Sequence, residues 1–196
     1  MAVLYNPERM PLLDPNKHAY IIANLEKVTR QARVPMDWIV AQRVGVYCRT
    51  DAERDWATAI KHAHQTHGIA GLCYLGNPGD WIPPVERRLC AFVGFFTRAK
   101  VFASRYTPFE LVEYYEREGH WPECTVLALS DFITSDTAKR SKYADAVQAC
   151  LTERVANVRY QTVLYGHSPQ AIQAVYGAST AMAIADNFVT VEAPRD

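Results

Sequence analysis

Residues 69–84 run Ile-Ala-Gly-Leu-Cys-Tyr-Leu-Gly-Asn-Pro-Gly-Asp-Trp-Ile-Pro-Pro. An apolar run ends in Gly76-Asn77-Pro78-Gly79, and a helical pattern begins near Val85. Strand, glycine-bearing turn and helix in that order are the setting of a phosphate-cradling loop, G-x-x-x-x-G-K-[ST]. In such a loop backbone N–H groups and a helix N-terminus converge on phosphate, and a lysine adds charge. Counting from Gly76 puts Trp81 at the second glycine, Ile82 at the lysine and Pro83 at the Ser/Thr. Each replacement removes a piece of that chemistry. Pro83 and Pro84 have no N–H to offer. Ile82 brings no charge, and Trp81 carries a side chain where glycine lets backbone approach. Asp80 repels phosphate; it suits the helix as an N-terminal cap, with proline at home in the first turn. Residues Gly76, Asn77, Pro78, Gly79, Asp80, Trp81, Ile82 and Pro83 therefore read as a vestigial phosphate loop that holds no cofactor. The alternative is ATP with magnesium, held by other residues. A plain Gly/Pro turn between a strand and a helix accounts for the same letters and stays open beside both.

Two other groupings could do chemistry. Gly166-His167-Ser168-Pro169-Gln170 has the layout of a nucleophile elbow, G-x-S-x-G, between a strand and a helix. Against a serine hydrolase using Ser168, Gln170 stands where the closing glycine belongs, and no histidine follows His167. A helix capped by Ser168 with Pro169 at its first position explains these residues better. His62, His64 and His67 cluster at a helix end, but 62 points away from the other two and no carboxylate or cysteine sits at ligand spacing. They read as histidines favourably placed near a helix C-terminus, and no metal is expected.

The chain has 196 residues, 49% hydrophobic and 21% charged, with a formal net charge of +0. That length suits one well-buried domain. Neutrality argues against strong sequence-independent nucleic-acid binding, which needs net neutralisation of phosphate. Weak or indirect nucleic-acid contact through a local basic face stays open. The five cysteines (Cys48, Cys73, Cys90, Cys124 and Cys150) are odd in number and form no C-x-x-C. They read as free buried thiols in a reducing compartment. No apolar stretch is long enough to span a membrane and no signal peptide is visible, so a cytoplasmic place is expected.

Apolar periodicity predicts the elements that must position these residues. Helices are expected over 17–33, 51–67, 85–97, 107–118, 141–157, 168–176 and 180–185, with an ambiguous stretch at 36–47. Strands are expected over 69–75, 100–104, 125–129, 160–165 and 188–192. Strands that are continuously apolar and alternate with helices predict an α/β fold with a parallel five-stranded sheet covered on both faces. Arg87, Arg88, Arg98, Lys100 and Arg105 give the region after the loop a basic bias, as candidate nucleic-acid or partner contacts or as a solvated face. Trp81, in a loop flanked by prolines, is expected to be the most exposed of the tryptophans, an interface anchor or a filler of the vacated pocket.

From 51 to 192 this order resembles the AAA+ ATPases of the bacterial helicase-loader type and of insertion-sequence transposition. Gly76-Asn77-Pro78-Gly79 resembles the family's Gly-x-Pro-Gly. Val126-Leu127-Ala128-Leu129-Ser130-Asp131-Phe132 resembles Walker B, and Tyr143 through Arg154 the helix that runs into an arginine. Gln161 through His167 lies where the family has a strand ending in its sensor. The resemblance implies a P-loop NTPase-like domain over 51–196 without a C-terminal lid, preceded by an extension over 1–50 that is the candidate partner-binding segment. It also implies lost catalysis at degenerate positions. Ser130 stands for the first Walker B acid, Asp131 survives beside it, His167 replaces the sensor asparagine, and 180–186 carry no arginine finger. A pseudo-ATPase acting by protein contact in DNA replication or mobile-element function is the expectation. Its partners would be a replicative helicase, an active AAA+ paralogue or another copy of itself. The alternative is a divergent ATP-binding helicase loader with Asp131 as its remaining acid.

Overall fold

The computed structural model of the chain describes residues 5–63, 69–133, 137–157 and 160–193. Five helices come first: α1 (Ala19–Ala23), α2 (Leu25–Ala32), α3 (Met36–Val40), α4 (Val44–Tyr47) and α5 (Asp51–Ala63). The single helix expected over 17–33 is two. Asn24 sits at φ −123°, ψ 28°, outside helical geometry, and its side-chain amide donates to the Tyr20 carbonyl at 2.9 Å. A short polar side chain that bonds the nearby backbone offers the chain an alternative to the helical ladder. The expected close of α5 at Gly68 lies outside the described residues.

Strands and helices then alternate: β1 (Gly71–Leu75), α6 (Val85–Arg98), β2 (Ala103–Tyr106), α7 (Pro108–Glu118), β3 (Val126–Leu129), α8 (Thr137–Ala156), β4 (Gln161–His167), α9 (Pro169–Tyr176), α10 (Ala178–Asn187) and β5 (Phe188–Glu192). The sheet is parallel throughout, in the order β2-β3-β4-β1-β5. The second strand starts three residues later than its apolar letters predict. Lys100 and Val101 still belong to the end of α6, their N–H groups donating to Thr97 and Phe96 carbonyls at 3.1 and 2.9 Å. Lys100 adopts φ 61°, which breaks the helix and cannot begin a strand.

The sheet divides the core in two. On one face Leu72, Tyr74, Val126, Ala128, Val163 and Val191 pack with α2 to α6. On the other, Cys73, Leu127, Leu129 and Leu164 pack with α7 to α10. Alternate strand residues point to opposite faces, so each strand serves both cores. The described part of the N-terminal segment belongs to the first core, through Met10, Leu13, Leu25, Ile39 and Cys48. It covers α6 so closely that a Cβ on Gly94 would lie 2.0 Å from the Trp38 carbonyl oxygen. All five cysteines are free and buried. Among the described residues no helix is long and apolar enough to cross a membrane.

Candidate functional site

In an open parallel sheet, ligands bind outside the carboxyl ends of the strands, where successive connections leave on opposite faces. Here the chain leaves β1 toward α6 on one face and leaves β4 toward α9 on the other. A crevice of ≈ 770 Å³ opens at that point, walled by the turn after β1, the end of β4 with the start of α9, and the end of β5.

The turn after β1 is tightly held. Gly76 adopts φ +126°, and a Cβ there would meet the Ala193 Cβ at 2.7 Å. Its N–H donates to the His167 carbonyl at 2.8 Å, and its carbonyl accepts from the Tyr165 hydroxyl at 2.6 Å. Pro78–Asp80 forms a single 3-10 turn. The Asn77 side-chain amide donates to the Asp80 carboxylate at 3.1 Å. Asp80 thus closes its own turn and does not cap the following helix, whose N-terminal flank is Pro84 without a side-chain cap. Burial, and then the Asp80 charge, push the Tyr165 hydroxyl up to about 12. Across the crevice His167 adopts φ 60°, and its Nδ1 is buried without a hydrogen-bond partner. The Ser168 hydroxyl accepts from the Ala171 N–H at 3.1 Å and caps α9, with Pro169 at the first position.

Trp81 is not the exposed residue that its flanking prolines predict. It is 2% exposed. Its ring meets Tyr74 edge-on at 5.0 Å and lies under the Arg88 guanidinium at 5.0 Å. Arg88, expected as a contact for a partner or nucleic acid, is buried too. Its guanidinium donates to Glu53 at 2.7 Å, to the Pro83 carbonyl at 2.9 Å and to the Ile82 carbonyl at 3.2 Å. Tyr74 donates its hydroxyl to the same Glu53 oxygen at 2.6 Å. The other Glu53 oxygen accepts the N–H and hydroxyl of Thr50, both at 2.9 Å. Burial alone raises the Glu53 carboxyl, but hydrogen bonds from Tyr74, Thr50 and Arg88 outweigh it and hold the group below its usual range. Burial pushes the Tyr74 hydroxyl well up. This cluster pins 81–83 from below and leaves Ile82 pointing out, 80% exposed, on the crevice wall.

The remaining expected site residues do not converge on the crevice. Ser130 is fully buried and donates its hydroxyl to the Tyr106 carbonyl at 3.4 Å. Asp131 is exposed, adopts φ 52° and lies near Glu86. Glu86 also sits 3.8 Å from Arg105; burial, with Asp131 adding to it, raises its carboxyl. Neither Ser130 nor Asp131 lines the crevice. Arg98, expected in the same basic set, donates to the carbonyls of Trp38 and Ile39, each at 2.9 Å, so its guanidinium turns inward to the end of α3. Burial pushes its guanidinium down to about 10. Of the basic set, only Arg87 and Lys100 are exposed, and they stand at opposite ends of α6. His62, His64 and His67 lie where side chains are not described; among the described residues no group of three potential metal ligands occurs.

Sequence reasoning missed two residues here. Glu53 reads as a first-turn acid, and that half of its role is visible in Thr50-x-x-Glu53. Its second oxygen, which holds Arg88, has no local signal. Glu192 enters the crevice only because β5 pairs with β1, placing Leu75 opposite Glu192.

No family model and no curated protein matches the chain. Among solved structures, it is similar to the replication initiator DnaA bound to AMPPCP and single-stranded DNA, with TM-score 0.52 and 12% identity over 79% of this chain and 50% of that one. AMPPCP-bound DnaA from Aquifex aeolicus gives TM-score 0.47 at 12% identity, with the same coverages. The chain thus spans about half the length of the solved structures it matches. With its strand order, the first likeness defines an AAA+-like fold. Such a fold implies a nucleotide and magnesium, and the donor set can be tested for both. Asp80 and Glu192 line the crevice, and among the described residues no lysine or arginine does. Pro83 and Pro84 have no N–H, and the ring of Trp81 packs beneath the loop on Tyr74 and under Arg88. These residues do not fit a nucleoside triphosphate with its metal.

Proposed function

We propose that this chain is a catalytically inactive AAA+-like protein that acts by protein contact. It would serve as a scaffold or regulator in DNA replication or mobile-element function, in the manner of a helicase loader. The observation that carries the reading is Trp81, buried on Tyr74 and under Arg88, with Arg88 paired to Glu53. A loop so anchored presents a carboxylate and an aliphatic side chain to the crevice, where phosphate binding needs cations and free amides. A replicative helicase, an active AAA+ paralogue or a second copy of the chain are the partners this reading calls for. The DnaA neighbour carries AMPPCP and single-stranded DNA, and it connects the fold with replication.

The test is titration with Mg-ATP and Mg-ADP, read by calorimetry and by the melting temperature. A ligand that binds only the folded state at 100 times its Kd adds about 2.7 kcal/mol. No heat and no shift at millimolar nucleotide is the expected result. Micromolar binding overturns it in favour of a divergent ATP-binding loader, the reading that the crevice's ≈ 770 Å³ favours. Converting Trp81-Ile82-Pro83 to Gly-Lys-Thr tests the loop alignment itself; a gain of nucleotide affinity supports it, and no gain counts against it.

A further inference from the structure

A second cavity, of ≈ 510 Å³, lies at the opposite end of the sheet, between α1, α2 and the turn that leads from α6 into β2. Its floor is apolar and buried: Ile21, Val28, Val101 and Ala103. Its rim carries two aromatic rings turned to solvent, Tyr20 at 62% and Phe102 at 50% exposure. Large apolar side chains grouped at a concave surface mark interaction sites, whereas single exposed ones need no explanation. The charge at this groove has one sign. Lys17 and Lys100 line it, and no aspartate or glutamate does among the described residues. Lys17 has a distant contact, 3.9 Å to Asp14, on open surface. Such a contact contributes little and is easily exchanged.

Lys100 adds an independent observation. It holds the left-handed conformation, φ 61°, that a glycine adopts without strain. The turn around it is fixed by the hydrogen bonds to Thr97 and Phe96. The chain thus keeps a lysine at a strained position, on the edge of an apolar groove.

We infer that this groove docks a segment of a partner protein that presents large apolar side chains flanked by aspartate or glutamate. The apolar residues enter between Tyr20 and Phe102, and the acids meet Lys17 and Lys100. A membrane surface fits less well, because it asks for a protruding apolar face and a cluster of about 4–8 cations, where this site is concave and has two. The inference rests on the reading of the chain as a protein that acts by contact. The groove lies away from the crevice, so nucleotide binding and peptide binding are separate readouts and can fail separately.

The probe is a fluorescein-labelled helical peptide with leucine and phenylalanine on one face and glutamate beside them, set against the same peptide with lysine for glutamate. Anisotropy should show micromolar binding of the acidic peptide only, weakening as salt rises. Lys17→Glu with Lys100→Glu should weaken it by about tenfold or more. Phe102→Ala should weaken it without moving the melting temperature, its ring being half exposed. Lys100→Gly separates the site from the fold: it relieves the left-handed strain, so the protein melts higher while the peptide binds more weakly. Equal binding of both peptides, no binding at millimolar peptide, or variants indistinguishable from the parent would each overturn the proposal. So would association with anionic vesicles in place of the peptide, or a salt-sensitive self-dimer that the charge reversal dissolves.

Discussion

Thr50 and Glu53 open α5, and Thr107 and Glu110 open α7, in the same way. In each pair one glutamate oxygen accepts the backbone N–H and hydroxyl of the threonine, at 2.9 and 2.9 Å in the first and 2.8 and 3.0 Å in the second. In each the other oxygen takes an arginine from a distant element at 2.7 Å, Arg88 for Glu53 and Arg33 for Glu110. In each the arginine also lies over an aromatic ring, Trp81 at 5.0 Å or Tyr106 at 4.4 Å. What differs is water. The Arg88 and Glu53 side chains are 3% and 0% exposed, those of Arg33 and Glu110 33% and 34%. The local chemistry is shared, and burial sets what each assembly can do. The exposed one fastens the N-terminal segment to α7. The buried one fixes the backbone of 82–83 and the indole of Trp81, and so decides what the crevice presents to a ligand.

The largest expected difference between the two corners lies at their glutamates. Glu53→Ala strands a buried guanidinium and should cost about 3–5 kcal/mol, whereas Glu110→Ala should cost about 1 kcal/mol. Urea midpoints of the two variants measure this directly, and equal losses would mean that burial does not separate the two corners. Next comes Trp81→Ala, which removes a buried ring and leaves Arg88 without its aromatic face, at about 3–5 kcal/mol. An exposed loop tryptophan would cost almost nothing, so this variant also tests the burial itself.

The two corners were unequally legible in the sequence. Helices were expected from 51 and from 107, and the threonine and glutamate three residues apart at each start are a local signal of the kind sequence can carry. Continuously apolar letters announced β1 and β3, and the alternation of strands with helices announced a parallel sheet. The fate of Trp81 was hidden: Gly79-Asp80 and two prolines read as surface loop. What buries the ring is Arg88, reached around the start of α6, and Tyr74 on the strand before. Neither contact follows from periodicity. The basic residues after the loop failed for a related reason. Letters give charge but not direction, and Arg88 and Arg98 turn inward to a carboxylate and to carbonyl oxygens. The end of β2 nearest the groove misled in its own way, since Lys100 and Val101 suit a strand by letter and a helix end by hydrogen bonding.

Smaller effects are expected at the half-buried corner of Arg33 and Glu110. Thr107→Ala removes one half of a capping box and should cost about 1 kcal/mol. Arg33→Lys keeps the charge but loses the planar contact over Tyr106, and should cost a few tenths of a kcal/mol, about what exposed pairs are worth.

The faintest expected signal is in acid. Burial alone raises the Glu110 carboxyl, but the Thr107 N–H and the Arg33 guanidinium outweigh it and hold the group below its ordinary value of 4.5. A carboxyl held low in the folded chain stabilises it fully above the unfolded value and loses that contribution as pH falls through the folded one. Glu53 is held low as well, so both corners weaken on the acid side of 4.5. The melting temperature of Glu110→Gln should therefore lie slightly below that of the parent at pH 7, and the gap should close as pH falls toward 3. A gap that stays constant across that range would mean the Arg33 contact stabilises Glu110 by packing alone, and that only the buried corner senses its proton.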